Sequence, residues 1–213
     1  MSKNIKNIIF DLGGVIINID FNLSINAFIK LGIKDFNNIF SKAKQNNFFD
    51  KLDTGNISQQ EFYNYLFDFL PSNVSEKDID SAWNAMLQDF PKQRIELLKS
   101  LSKNYKLFLL SNTNIFHFPI CNKQFEEQFN IKLSSLFYKV YYSHLIGKRK
   151  PDIKTFEFII EDSNLIPEET FFIDDSIQHI LSAKKLGIKV HHLLDEEDIC
   201  DLFDNNNRLV NFK

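Results

Sequence analysis

The sequence has little cysteine, little net charge and no long apolar run. Its apolar stretches are shorter than the roughly 18 to 20 residues of a membrane-spanning helix, so no such helix is expected. A net charge of −3, without runs of like charge, offers no basic surface for nucleic acid. The chain leads directly into an apolar strand instead of a signal-peptide core, which predicts a cytoplasmic protein.

The sequence also lacks internal repeats, low-complexity linkers and cysteine clusters. Cys121 and Cys200 are far apart and have no partners at metal-ligand spacing, so we expect both to be reduced packing residues. With 213 residues, the chain is long enough for one substantial core and a smaller accessory domain.

The pattern of apolar residues changes along the chain. After the first strand, helical periodicity predicts four short helices, at 21–31, 36–49, 58–70 and 75–87. Two of them begin with the spacing of a capping box, Ser58 with Glu61 and Ser75 with Asp78. Later, predicted strands alternate with helices, which indicates a parallel sheet covered on both faces. These strands are at 106–110, 137–142, 170–173 and 188–192, and the helices are at 91–103, 117–129, 152–162 and 176–186. The sequence therefore predicts an α/β core, 1–17 and 89–213, interrupted by a helical insertion at 18–88.

Asp11 is the first candidate for a reactive group. It follows the apolar residues Ile-Ile-Phe and precedes Leu-Gly-Gly, so a buried strand delivers a carboxylate into a glycine turn. Ligand sites in parallel α/β sheets lie at the carboxyl ends of the strands, which is where this pattern puts Asp11.

Polar residues also follow three later strands. Ser111 and Asn112 suit phosphate oxygens, and Lys150 precedes a predicted helix start, which favours an anion. Asp174 and Asp175 end another apolar strand, and such carboxylates suit Mg²⁺. Each group also has an ordinary structural interpretation, as a turn, a solvated basic patch or a helix cap. Their common placement at strand ends favours one shared site.

The order Asp, then Ser-Asn, then Lys-Pro, then Asp-Asp resembles the haloacid dehalogenase superfamily. The motifs Phe-Asp-Leu-Gly-Gly-Val, Leu-Ser-Asn-Thr-Asn and Gly-Lys-Arg-Lys-Pro are most similar to its sugar-phosphatase branch, which contains bacterial α-glucose-1-phosphatase. This resemblance implies a Rossmann-like three-layer α/β/α fold with an inserted helical cap. It also implies a Mg²⁺-dependent phosphatase acting on a small phosphorylated metabolite, with a sugar phosphate as the expected substrate.

The resemblance assigns a role to each candidate. Asp11 would attack phosphorus and form an aspartyl-phosphate, with Lys150 neutralising the charge. Ser111, Asn112 and His117 would contact phosphate or substrate. Mg²⁺ would be held by Asp11, the backbone carbonyl of Gly13, Asp174 and Asp175.

Gly13 departs from the family pattern. Phosphatases of this superfamily ordinarily carry there an aspartate that acts as general acid and base, which is worth about 10² to 10⁴ in rate. His117 or Asp20 is a candidate substitute, and good leaving groups such as anomeric or acyl phosphates should suffer least. Two alternatives stay open: a non-catalytic binder of a phosphorylated ligand or partner protein, favoured by Gly13, and a 2-haloacid dehalogenase, which needs no metal.

Other side chains are less informative in the sequence. His144 and His179 suggest no function, and the pair His191 and His192 is expected to be structural. The cap aromatics, including Trp83, are expected mainly to pack against one another. The orientation of two polar residues of the insertion, Asp53 and Glu61, is left open.

Overall fold

The computed structural model describes residues 4–34, 47–204 and 206–210, and its centre is a parallel sheet. Its strands are β1 (Asn7–Phe10), β2 (Lys106–Ser111), β3 (Lys139–Tyr142), β4 (Thr170–Asp174) and β5 (Lys189–His192). Their order in the sheet is β3-β2-β1-β4-β5. β1 is central and buried, as its apolar residues Ile8, Ile9 and Phe10 predict for a parallel strand covered on both faces.

The register of the sheet brings the candidate residues to one edge. Phe10, the last residue of β1, is paired with Leu109 of β2 and with Ile173 of β4. Asp11 directly follows Phe10, and Ser111 and Asp174 are the last residues of β2 and β4. The three residues therefore lie at the same edge of the sheet.

Both faces of the sheet are covered. Ile8 and Phe10 of β1 belong to one hydrophobic cluster, and Ile9 belongs to another, because successive strand residues point to opposite faces. The helices of this part of the chain are α5 (Lys92–Leu101), α6 (His117–Phe129), α7 (Ser143–Ile146), α8 (Ile153–Asp162) and α9 (Ile177–Lys184). The predicted Rossmann-like α/β/α architecture is confirmed.

Between β1 and α5, the described residues form four helices, of which the first, third and fourth lie within the predicted ranges 21–31, 58–70 and 75–87. They are α1 (Phe21–Lys30), α2 (Phe48–Asp53), α3 (Gln59–Phe67) and α4 (Glu76–Asn84). The capping boxes predicted from Ser58 and Ser75 are both formed. The helices share a hydrophobic cluster of their own, which includes Phe28, Phe62 and Trp83 and reaches Phe116 before α6.

Some predicted boundaries were wrong. The helix predicted at 36–49 lies mostly outside the described residues, and the helix found nearby, α2, continues to Asp53. The strand predicted from 137 begins at Lys139, because 133–136 form a turn of 3₁₀-helix that ends just before it. α7 was not predicted, because it is a single turn with no apolar period to reveal it.

The two connections between the insertion and the sheet run side by side. The amide of Asn18 donates to the carbonyl of Asp89, and the amide of Gln88 donates to the carbonyl of Asn18, both at 3.0 Å. Ile19 and Leu87 form an antiparallel bridge one residue further into the insertion. Within the described part of the chain, no helix has the length and apolarity that crossing a bilayer requires.

Candidate active site

Asp11 lies immediately after β1, with 7% of its surface exposed. Its Oδ1 accepts hydrogen bonds from the amide of Leu12 and from Nζ of Lys150, both at 2.7 Å. Burial raises the pKa of Asp11 well above its usual range, and the charges of Asp174 and Asp175 add to this against the opposing effect of Lys150. Burial and the neighbouring carboxylates thus outweigh Lys150 and favour the neutral form of Asp11.

Lys150 contacts groups at the ends of three strands, β1, β2 and β4. Its side chain is fully buried, and Nζ lies 2.7 Å from Asp11 Oδ1, 2.6 Å from Asp174 Oδ2 and 2.9 Å from the carbonyl of Leu110. Burial alone would lower the pKa of Lys150, but the two carboxylates hold it above its ordinary value. The ammonium group is thus charged and points at the predicted nucleophile.

The side chain of Asn112 positions the lysine loop. Its Nδ2 donates to the carbonyl of Lys150 at 2.8 Å, and its Oδ1 accepts from the amide of Lys150 at 2.9 Å. With both ends of the amide used in this way, Asn112 can offer substrate mainly its backbone. Ser111 is 3% exposed at the end of β2 and lines the same cavity as Asp11.

Asp174 is held by protein groups on both oxygens. Oδ2 faces Lys150, and Oδ1 accepts from the amide of Ser176 and contacts Nδ1 of His179, both at 2.8 Å. Burial favours the neutral acid, but Lys150 and His179 outweigh it and lower the pKa of Asp174. Of the two carboxylates that share Lys150, Asp174 keeps the charge more readily because it has these additional partners. His179, which has no function predicted from the sequence, lies next to the candidate site through this contact.

Asp175 is the more exposed of the adjacent pair and lies against the glycine turn. A Cβ added to Gly14 would lie 2.3 Å from Asp175 Oδ2, and Gly14 has a φ of +70°. A side chain at residue 14 would therefore displace the carboxylate as well as strain the backbone. Burial and the neighbouring Asp174 raise the pKa of Asp175.

A cavity of about 800 Å³ opens above these groups, and Gly13 is part of its lining. A Cβ added to Gly13 would lie only 2.5 Å from Cδ1 of Ile19, so the end of the isoleucine side chain occupies the space next to residue 13. The position that ordinarily carries an acid in this superfamily is here bordered by a methyl group.

The two substitute proton donors suggested by the sequence occupy different places. Asp20 caps α1, where its Oδ1 accepts from the amide of Asn22 at 2.9 Å. His117 lines the cavity with its ring stacked on that of Trp83, and its Nδ1 lies 2.9 Å from Asn84 Oδ1. Burial lowers the pKa of His117 to about 4, so the imidazole is neutral at pH 7.

Three cavity residues were not assigned from the sequence. Asp53 comes from the end of α2, Asn114 precedes α6, and Arg149 is adjacent to Lys150. Asn114 Nδ2 donates to Asp53 Oδ1 at 3.2 Å, and Arg149 Nη2 lies 3.5 Å from Asp53 Oδ2. Arg149 also pairs with Asp50. These contacts join the insertion to the core beside the predicted nucleophile.

The donor set fits a divalent cation. Oxygen or nitrogen atoms of Asp11, Asp174 and His179 lie within 4.8 Å of one another, and Asp175 adds a third carboxylate at the same edge. Three carboxylates face the single ammonium of Lys150, and a doubly positive ion would balance the remaining charge. Hard oxygen ligands of this kind suit Mg²⁺. Because both oxygens of Asp174 already have protein partners, Asp11 and Asp175 are the better placed to bind it directly.

Comparison with known proteins gives this geometry a family. The profile of haloacid dehalogenase-like hydrolases matches residues 8–193. The chain belongs to this family. The match spans all the strand-end residues described above, from Asp11 to Asp175, and so confirms the resemblance that the motifs suggested.

Individual relatives are similar over nearly the whole chain. D-ribitol-5-phosphate phosphatase of Bacteroides thetaiotaomicron is 36% identical over 186 residues, which are 87% of this chain and 90% of that protein. The crystal structure of a HAD family enzyme from the same organism has a TM-score of 0.89, with 35% identity over 95% of this chain and 100% of that one. A complex of that enzyme with magnesium and inorganic phosphate has a TM-score of 0.87, with 35% identity over 94% of this chain and 100% of its own.

Proposed function

We propose that this hydrolase is a cytoplasmic, Mg²⁺-dependent phosphatase that acts on a phosphorylated polyol or sugar through an aspartyl-phosphate on Asp11. The observation that carries the proposal is the buried Lys150, whose Nζ touches both Asp11 and Asp174 at the carboxyl edge of the sheet. A cation fixed beside a carboxylate nucleophile suits a reaction in which negative charge develops on a phosphoryl group. The similarity to a phosphatase and to an enzyme crystallised with magnesium and phosphate supports the same reaction.

In the first step, an oxygen of the Asp11 carboxylate attacks phosphorus, and the bond between phosphorus and the ester oxygen breaks. The described contacts of the carboxylate, from Leu12 and Lys150, both fall on Oδ1, so Oδ2 is the proposed attacking atom. Lys150 stabilises the phosphoryl charge, and the hydroxyl of Ser111, which lines the same cavity, donates to a phosphoryl oxygen. The ester oxygen leaves as an alkoxide and takes its proton from water, because residue 13 has no acid to supply one.

In the second step, water attacks the phosphorus of the aspartyl-phosphate, and inorganic phosphate leaves with the carboxylate restored. Splitting hydrolysis in this way replaces one difficult displacement by two easier ones. Mg²⁺, bound by Asp11, Asp175 and the carbonyl of Gly13, would neutralise charge on the phosphate when present. Asp174 would act mainly by holding Lys150 and by contributing its charge to the metal site.

We propose that the insertion, 18–88, acts as a cap over this site. Its residues Phe49, Asp53 and Trp83 line the cavity that contains Asp11. The paired connections at Asn18 and Gln88 support boundaries at these positions. A cap of this kind brings substrate-contacting groups to the phosphate site and excludes water.

The alternative is a non-catalytic protein that binds a phosphorylated ligand. Ile19 supports it, because its side chain borders the place where a catalytic acid would stand. A 2-haloacid dehalogenase is disfavoured, because its reaction needs no metal. The adjacent carboxylates Asp174 and Asp175, which suit a metal ion, would then have no role in the reaction.

Phosphate release from a panel of polyol, sugar, acyl and nucleotide phosphates tests these functions. We expect release that requires Mg²⁺, stops in EDTA and is lost in Asp11→Asn. Asp162→Asn is the matched control, because this carboxylate is paired with Lys139 on the surface, away from the cavity. Phosphate binding without release from any ester would favour the non-catalytic alternative.

A further inference from the structure

Asp53 brings a carboxylate from the insertion into the cavity above Asp11. Among the described residues that line this cavity, the other carboxylates are Asp11 and Asp175, which belong to the phosphate site itself. Asp53 is the last residue of α2, and its side chain is 19% exposed. It therefore faces the part of the cavity that would receive the remainder of a substrate whose phosphate is on Asp11.

The contacts of Asp53 fix the carboxylate without using all of its acceptor capacity. An ionised carboxylate can accept about four hydrogen bonds. Asn114 supplies one at 3.2 Å, and Arg149 Nη2 is at a looser 3.5 Å from the other oxygen. Asn114 is itself fixed, because its Oδ1 accepts from the amides of Phe116 and His117 at the start of α6. The acceptor oxygens are thus held in position and remain open to further donors.

The charge around Asp53 selects the kind of donor. Arg149 is shared with Asp50, so its single positive charge faces two carboxylates. Burial raises the pKa of Asp53 to about 6, because the hydrogen bond from Asn114 offsets only part of the cost of burying its charge. A second anionic group on the substrate would be repelled here, whereas neutral hydroxyl groups would supply the missing hydrogen bonds. The nearby rings of Phe49 and Trp83 offer an apolar wall to a carbon chain.

We infer that Asp53 is a specificity-determining residue that accepts hydrogen bonds from the hydroxyl groups of a neutral polyhydroxylated phosphate ester. The inference rests on the proposed function and names its substrate class: an ester with hydroxyls along the chain and without a second anionic group at the far end. Asp53 takes no part in the attack on phosphorus. Its contribution is to distinguish phosphate esters that differ only in the part of the molecule beyond the phosphate group.

The test compares ribitol 5-phosphate with pentyl phosphate, which has the same chain length without the hydroxyls, and with 5-phosphoribonate, which ends in a carboxylate. In Asp53→Asn, we expect kcat/KM for ribitol 5-phosphate to fall about tenfold, because a charge-assisted hydrogen bond becomes a neutral one. The value for pentyl phosphate should stay unchanged, and that for 5-phosphoribonate should rise. The neutral amide is expected to fold, because burial already favours the neutral form of this side chain.

Asp68→Asn is the matched control. It removes an exposed carboxylate of the same insertion, at the end of α3, and Asp68 is not among the residues that line the cavity. This variant should leave the ratio of the kcat/KM values for ribitol 5-phosphate and pentyl phosphate unaltered. An equal loss for both esters in Asp53→Asn, or the same change of ratio in Asp68→Asn, would overturn the inference.

A binding measurement separates this inference from the proposed function. Titration calorimetry with Mg²⁺ present gives the Kd of ribitol 5-phosphate for Asp11→Asn and for the double variant with Asp53→Asn. A Kd raised about tenfold by the second substitution, with no change for pentyl phosphate, supports hydroxyl recognition even if the wild-type protein turns over neither ester. An unchanged Kd for ribitol 5-phosphate overturns it. Absence of turnover by the wild-type protein counts against the proposed function alone.

Discussion

The Nζ of Lys150 lies 2.6 Å from Oδ2 of Asp174, and neither side chain has any exposed surface. The same nitrogen is 2.7 Å from Asp11, so one buried cation is shared by two carboxylates from adjacent strands β1 and β4. A buried charge without a partner is costly, and removing one member of such a pair exposes that cost. The same three charged groups therefore determine the stability of this sheet edge and take part in the reaction proposed for it.

Lys150→Met should destabilise the protein severely. The substitution leaves the buried Asp174 without its cation, and breaking a buried pair in this way costs about 3–5 kcal/mol. Urea denaturation of the metal-free protein measures the free energy of unfolding. Lys139→Met, which removes the partly exposed partner of Asp162, should change it little. A similar loss in both variants would contradict the special position of Lys150.

Asp11→Asn should stabilise the metal-free protein near neutral pH. The pKa of Asp11 is raised in the folded state, so the folded protein binds a proton that the unfolded chain releases. The free energy of unfolding of the wild-type protein should therefore fall as pH rises from the usual carboxylate range towards neutrality, and this fall should be smaller in Asp11→Asn. Thermal unfolding of both proteins in EDTA, at a series of pH values, measures this pH dependence. A steeper fall of the free energy of unfolding in Asp11→Asn would contradict a raised pKa of Asp11 in the folded state.

Mg²⁺ should stabilise the protein through the same carboxylates. A ligand that binds only the folded state raises its stability by mass action, so Tm should rise with Mg²⁺ concentration. The rise should be reduced in Asp11→Asn and in Asp175→Asn, whereas Asp162→Asn should respond like the wild-type protein. Differential scanning fluorimetry with and without Mg²⁺ measures the shift. An equal shift in all four proteins would place the ion elsewhere.

His117→Phe should retain phosphate release. The neutral imidazole faces the amide oxygen of Asn84 with Nδ1, so that contact favours the tautomer with its proton there and leaves Nε2 without a proton to donate. Phenylalanine preserves the ring beside Trp83. We expect the decrease of kcat/KM at alkaline pH to be the same in His117→Phe as in the wild-type protein. The measurement is made with an alkyl phosphate and, as the control with a good leaving group, an aryl phosphate. A selective loss with the alkyl ester would identify His117 as the proton donor.

The strand-end residues were predictable because their positions depend on local patterns. An apolar strand followed by a polar residue places that residue at the sheet edge, and parallel strands bring such edges together. This reasoning, with the family resemblance, predicts Asp11, Ser111, Lys150 and Asp174 at one edge of the sheet. It also predicted the two capping boxes, because a capping box is defined by residues three apart.

The remaining cavity residues were not predictable in the same way. Asp53 and Arg149 are distant in sequence, and their contact depends on how the insertion docks on the core. No periodicity or motif encodes that docking. His179 had a weaker signal, because it is five residues after Asp174 on the following helix, but its orientation depends on the turn at Ser176. The sequence therefore predicts the positions of the strand-end residues better than the contacts between the insertion and the core.

Gly13→Asp should supply the acid that the sequence lacks. The backbone of Gly13 does not have a positive φ, so an aspartate is compatible with it, but its Cβ would lie 2.5 Å from Cδ1 of Ile19. The end of the isoleucine must rotate away, and an off-rotamer side chain costs about 0.5–1.5 kcal/mol. Ile19→Val removes that methyl group, so the double variant should recover the part of the stability that is lost to the clash. Urea denaturation of the single and double variants measures this.

The effect on rate should depend on the leaving group. A positioned general acid contributes about 10² to 10⁴, and it matters most where the departing alcohol is a poor leaving group. In Gly13→Asp with Ile19→Val, we expect kcat for primary alkyl phosphates to rise by about 10² or more, with little change for p-nitrophenyl phosphate. Gly13→Asn with Ile19→Val is the control, because it has the same shape without a proton to give. If the two double variants hydrolyse alkyl phosphates equally, another group already donates the proton. The absence of an acid at residue 13 then does not limit the rate.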